Sequence, residues 1–121
     1  MKILLVDDEE DFVATLCERL SLRGYDADWT STGREAVKKV TDEDYDLAIL
    51  DLKMPQIGGL ELRMKLAKIK PKLRFLFVSG HGSVDEISAE DGNEDLFLTK
   101  PLTLEKLIET IKIIPPAADA H

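Results

Sequence analysis

Cysteine is almost absent from this chain: Cys17 is the only one in 121 residues. A single thiol excludes an internal disulfide and a cysteine metal cluster, and its apolar neighbours make it a small core residue. Long apolar runs are also missing. None approaches the ~20 residues a membrane helix needs, so the sequence offers no bilayer span. The opening MKILLV runs straight into Asp7, Asp8, Glu9, Glu10 and Asp11, with no extended apolar core or small-residue cleavage site, which argues against secretion and for a cytoplasmic protein. Basic residues are in deficit, 16 Lys and Arg against 24 Asp and Glu, giving a net charge of −8. A surface of that sign repels nucleic acid and anionic lipid, so direct nucleic-acid binding by this chain is not expected. Neither G-x-G-x-x-G nor a P-loop occurs, and no internal repeat or low-complexity stretch is present.

What is present is one domain's worth of alternating strand and helix signals. The hydrophobic fraction of 44% suits a globular fold. Lys2–Val6 and Asp46–Leu50 are continuous apolar runs, as in strands buried on both faces. Leu73–Val78 reads as a further strand, Tyr25–Thr30 as a weaker one and Leu96–Leu98 as a short last one. Between them lie amphipathic stretches over Asp11–Leu22, Thr32–Val40, Gly59–Ile69 and Thr103–Ile113. Thr32 and Thr103 stand as N-caps; Leu60, Met64, Leu66 and Ala67 are the core candidates of the third. Trp29 and Tyr25 read as partly buried strand residues, and Asp42-Glu43-Asp44 as a solvated helix end. Between Ser79 and Lys100 the helix signal is weak: Val84, Ile87 and Ala89 are its only apolar residues before Glu90-Asp91-Gly92-Asn93, enough for one or two turns. The pattern predicts an α/β fold, a doubly wound parallel sheet with helices on both faces. Residues 1–114 form the domain; Pro115–His121 reads as a tail or linker stub.

The residue just past each strong strand is polar: Asp7 and Asp8, then Asp51, then Ser79, then Lys100. In an open parallel sheet these positions meet beyond the carboxyl ends of the strands, where such folds build their sites. Three carboxylates that close raise one another's pKa, and a hard divalent cation with oxygen ligands relieves them; Mg²⁺ suits a few carboxylates plus water. The first loop, VDDEED, has five acids and no glycine, so it repels a bare phosphate and is suited to a metal.

Four segments together resemble the receiver domain of two-component response regulators: VDDEED after the first strand, LDLKMP around Asp51, VSGHG around Ser79 and FLTKP around Lys100. The likeness runs from Lys2 to about Ile113. It implies a flavodoxin-like five-stranded sheet in the order 2-1-3-4-5 with five helices, the fourth here short or irregular. It also implies roles. Asp51 is the phosphoacceptor. Asp7, Asp8 and Asp51 hold Mg²⁺ together with the backbone carbonyl of Lys53. Lys100 pairs with Asp51 and then with the phosphoryl oxygens, with a cis bond to Pro101; Ser79 is the switch hydroxyl and Phe97 the switch aromatic. Lys53 and His81 fall where the family tunes the lifetime of the phosphoryl group.

By residue type alone, Phe97 is equally a core residue, Ser79 a turn cap before Gly80, and His81 a base, ligand or pH sensor, best read as a modulator at the rim. The implied donor is a sensor histidine kinase or a histidine phosphotransfer protein, and the implied reader an effector domain or downstream protein. The implied activity is signalling, with phosphorylation and dephosphorylation of itself as the only catalysis. A receiver-like binding module that does not switch is the alternative. A haloacid-dehalogenase-type phosphatase would need a second Asp where Lys53 stands, and a flavodoxin would need a phosphate-accepting first loop. The chain departs from the family at Gly58, where an acidic residue is common.

Overall fold

The computed structural model describes residues 1–80 and 96–114. Among them are five strands and four helices: β1 (Lys2–Val6), α1 (Glu10–Leu22), β2 (Asp26–Thr30), α2 (Gly33–Asp42), β3 (Leu47–Asp51), α3 (Gly59–Ile69), β4 (Arg74–Ser79), β5 (Leu96–Thr99) and α4 (Leu104–Lys112). The helix expected between β4 and β5, and His81 with it, lie outside the described residues. All strand pairs are parallel and the order is β2-β1-β3-β4-β5. This is the doubly wound order expected from the resemblance.

Successive side chains of a strand point to opposite faces, and the apolar runs use both. Ile3 and Leu5 of β1 pack with Ile49 and Val78 under α1 and α4, through Val13, Leu16, Leu20, Leu107 and Ile111. Leu4 and Val6 pack with Ala48, Leu50, Phe75 and Phe77 under α2 and α3, through Ala36, Val40, Leu62 and Leu66. Two apolar layers therefore clamp β1, β3 and β4, and each fully buried Leu or Ile stabilises the fold by about 1.5–3 kcal/mol. Cys17 belongs to the first layer, buried with its Sγ 3.2 Å from the Ala27 carbonyl. Trp29 and Tyr25 are half-buried against the same layer.

Local signals set the helix ends. Thr32 accepts from the Glu35 N–H at 3.1 Å and Thr103 from the Lys106 N–H at 3.1 Å, so both expected caps are made. Gly24 closes α1 in a left-handed conformation (φ +95°) that glycine adopts without steric cost. One core assignment needs correction. Met64 is 60% exposed, and the inward positions of α3 are Leu62 and Leu66, with Leu60 and Ala67 half-buried. The helix is rotated to bury the two leucines four residues apart, which leaves Met64 on the outer side.

Candidate functional site

Asp7 follows β1, Asp51 ends β3, Ser79 ends β4 and Lys100 follows β5, so all four meet at one edge of the sheet. Asp7 and Asp51 are buried, and Asp8 is exposed. One carboxylate oxygen from each of Asp7, Asp8 and Asp51 lies within 4.8 Å of the other two. Main-chain bonds fix this rim. The Asp7 N–H donates to the Thr30 carbonyl (3.2 Å), the Leu52 N–H to the Val78 carbonyl (3.0 Å) and the Lys100 N–H to the Ser79 carbonyl (2.8 Å). Asp7 Oδ1 accepts from the Glu9 N–H at 2.9 Å, turning the chain into α1. Asp51 Oδ1 accepts from the Lys53 N–H at 3.3 Å, which ties Lys53 to the site through its main chain. The Lys100–Pro101 peptide is cis.

The electrostatics are those of crowded acids sharing one cation. Burial, reinforced by the negative charge of Asp7, pushes the Asp51 carboxyl up to about 6 against the pull of Lys100 and the Lys53 N–H. Lys100 Nζ lies 3.0 Å from Asp7 Oδ2, 2.5 Å from Glu9 Oε1 and 3.9 Å from Asp51 Oδ2. Burial pulls the Lys100 pKa down, but the Glu9 and Asp7 hydrogen bonds and the Asp7 and Asp51 charges outweigh it, and the ammonium is held above its ordinary value. The expected Lys100–Asp51 pair is thus the longest of three contacts.

The side chain of Ser79 is fully buried and its Oγ has no hydrogen-bond partner among the described residues. A buried hydroxyl with no partner costs free energy. Behind it Phe97 is half-buried and stacks on Phe77, ring centroids 5.2 Å apart at 20°.

Two residues here were not singled out by the sequence reading. Gly59 starts α3 directly against the acceptor strand: a Cβ there would lie 2.5 Å from the Asp51 carbonyl oxygen and 2.9 Å from Leu52 Cα. Only the spacing of Gly58-Gly59 after Met54-Pro55 hinted at so close an approach. Glu9 was read as one acid of the loop, and its contact with Lys100, 91 positions away, carries no local signal. Gly58 is the N-cap of α3 and supplies no side-chain cap, where an acidic residue would have accepted from the helix N–H groups.

The sequence pattern of the response regulator receiver domain family matches residues 3–112. This chain belongs to that family. It is 34% identical over 115 residues to the transcriptional regulatory protein TcrA of Mycobacterium tuberculosis, covering 94% of this chain and 46% of that protein. It is 33% identical over 114 residues to the alkaline phosphatase synthesis transcriptional regulatory protein PhoP of Bacillus subtilis, covering 93% of this chain and 48% of the other. The chain therefore spans about half the length of these two relatives. Among solved structures, a CheY-like receiver domain from Methanospirillum hungatei superposes with a TM-score of 0.83 at 29% identity over 92% of this chain and 90% of that one. The Thermotoga maritima response regulator TrrA, solved in complex with Mg²⁺-BeF, superposes at 0.81 with 32% identity over 94% and 98%. This receiver domain carries the acidic cluster at the carboxyl edge of its sheet, with a lysine and a buried hydroxyl beside it.

Proposed function

We propose that this receiver domain is a phosphoacceptor switch in which Asp51 takes a phosphoryl group from a phosphohistidine on a sensor kinase or phosphotransfer protein. The observation that carries the reading is the meeting of Asp7, Asp8 and Asp51 with Lys100 and the buried Ser79 hydroxyl, which has no partner among the described residues, at one edge of the sheet.

The donor set fits a small hard cation: three carboxylates, two of them buried, within reach of one centre and in mutual repulsion. Asp7, Asp8 and Asp51 would hold Mg²⁺, with the Lys53 carbonyl as a further ligand. Bound there, the cation neutralises charge on the phosphoryl oxygens and on the acids themselves. The remaining chemistry belongs to the chain. An ionised Asp51 oxygen attacks phosphorus in line, the new O–P bond forms as the N–P bond to the donor imidazole breaks, and the electron pair leaves on that nitrogen. With its carboxyl at about 6, Asp51 is mostly ionised at pH 7 and available as a nucleophile. Lys100 donates to the phosphoryl oxygens, and so does the Ser79 hydroxyl. The product carries close to two negative charges where the site held the single charge of the Asp51 carboxylate. Closure of Ser79 and Lys100 on it draws the ends of β4 and β5 together and lets Phe97 turn in behind Ser79, a two-state change an effector domain or downstream protein reads.

Intact mass after incubation with acetyl phosphate tests this. A single phosphoryl gain is expected with Mg²⁺, lost without it and lost in Asp51→Asn. No gain on wild type in Mg²⁺ from either acetyl phosphate or a phosphorylated histidine donor would refute the reading.

A further inference from the structure

Lys100 is held away from the acceptor. Its ammonium has three donors. One is taken by Asp7 at 3.0 Å and one by Glu9 at 2.5 Å, while Asp51 lies at 3.9 Å, beyond hydrogen-bond reach. The Phe12 ring lies under the same ammonium, 4.8 Å from its centroid, and adds a cation–π face on the side of α1. Glu9 is distinct among these anions. Asp7 and Asp51 belong to the proposed cation ligands, whereas Glu9 stands outside that set, with its side chain 61% exposed at the rim. A cation seated on Asp7 would take that carboxylate from Lys100 and leave Glu9, the N-cap residue of α1, as the ammonium's remaining close carboxylate partner. A phosphoryl group on Asp51 then has to win Lys100 from Glu9.

We infer that Glu9 is a positioning residue that, with Phe12 beneath, parks Lys100 on the α1 side of the site and competes with the phosphoryl group for its ammonium. Glu9 touches neither the reacting oxygen nor phosphorus; it acts through Lys100. The inference rests on the phosphoacceptor reading of Asp51. Its consequence is a set point: with Glu9 in place the phosphoryl-bound state is less favoured than the acceptor, cation and lysine alone would make it.

The test measures beryllofluoride affinity, the phosphoryl mimic, by calorimetry in saturating Mg²⁺ for wild type, Glu9→Gln, Lys100→Ala and the double variant. Glu9→Gln should tighten binding about three- to fivefold, the size of one partly exposed ion pair. That gain should vanish when Lys100 is already Ala. A gain of equal size in both backgrounds would show that Glu9 acts only by its charge and would overturn the inference, as would no gain at all. Binding by none of the four proteins would overturn the phosphoacceptor reading and the inference together, whereas binding with no coupling overturns the inference alone.

Where Lys100→Ala binds too weakly to measure, a second arm decides. Acetic anhydride at limiting dose should label Lys100 faster in metal-free Glu9→Gln than in wild type, relative to exposed Lys65 in the same molecules. Equal labelling would overturn the parking role.

Discussion

The two edges of the sheet carry similar residues in opposite states. At the amino edge, two lysines are paired with acids. Lys2 Nζ meets Glu43 at 2.6 Å, the Lys2 N–H donates to Asp46 at 2.8 Å, Lys70 pairs with Asp44 at 2.5 Å, and the Tyr45 hydroxyl donates to Asp28 at 2.6 Å. At the carboxyl edge, Asp7, Asp8, Glu9 and Asp51 crowd around the single ammonium of Lys100, and the buried Ser79 Oγ has no partner among the described residues. Matched polar groups close an edge and hold loops in place. Unmatched ones leave free energy to be recovered when something binds, and that is the physical difference between a structural charge cluster and a site.

The sharpest way to break the contrast is to disturb the backbone beneath the carboxyl edge. Gly59→Ala would force α3 off the Asp51 carbonyl, which a Cβ would approach to 2.5 Å. The expected loss, read by chemical denaturation, is about 3 kcal/mol, at the upper end for overpacking because backbone has to move. No loss, or the small gain that an exposed helical Gly→Ala change gives, would show that the approach is not tight.

Next is the crowding itself. Because the Asp51 carboxyl is raised to about 6 from 3.8, the folded protein binds that proton more tightly than the unfolded chain. The contribution of Asp51 to the stability of the metal-free protein should therefore fall as pH rises between about 4 and 6. Asp51→Asn removes this cost and should stabilise metal-free protein at pH 7 by about 2 kcal/mol, with the gain shrinking toward pH 4. Added Mg²⁺ should raise the melting temperature of wild type and much less that of the variant. A pH-independent effect of Asp51→Asn would contradict the electrostatic account.

At the matched edge, effects should be smaller. Burial first, and then the hydrogen bond to Asp28, raise the Tyr45 hydroxyl above its ordinary value, so it stays neutral through the working range. Tyr45→Phe should cost about 1 kcal/mol, the worth of one hydrogen bond, and equally at pH 6 and pH 9. Lys70→Met should change the melting temperature least of all. Its partner Asp44 is 91% exposed and the pair is screened by salt, although its hydrogen bond holds the Asp44 carboxyl below the usual range. A large loss there would mean that the amino edge is more than a closed rim.

The sequence alone carried the strands, because buried parallel strands are continuous apolar runs, and it carried Thr32 and Thr103, because a cap is a local event. It also brought Asp7, Asp51, Ser79 and Lys100 to one edge, since the end of a parallel strand is a position that chain order defines. What it missed was set by contacts remote in sequence. Met64 against Leu62 turns on a small rotation of α3 that periodicity over eleven residues does not resolve. Asp42-Glu43-Asp44 is the solvated helix end expected, but its pairing of Glu43 and Asp44 with Lys2 and Lys70 joins residues 41 and 26 positions apart. The same holds for Glu9 and Lys100, and Gly59 shows its necessity only once the Asp51 carbonyl lies beside it.

In the proposed function the unmatched carboxyl edge receives a phosphoryl group on Asp51. The most direct measurement is borohydride trapping of the acyl phosphate after Mg²⁺ and acetyl phosphate, followed by peptide sequencing in the mass spectrometer. Homoserine is expected at position 51 and at no other acidic residue. Homoserine at Asp7, Asp8 or Glu9 with Asp51 intact would contradict it.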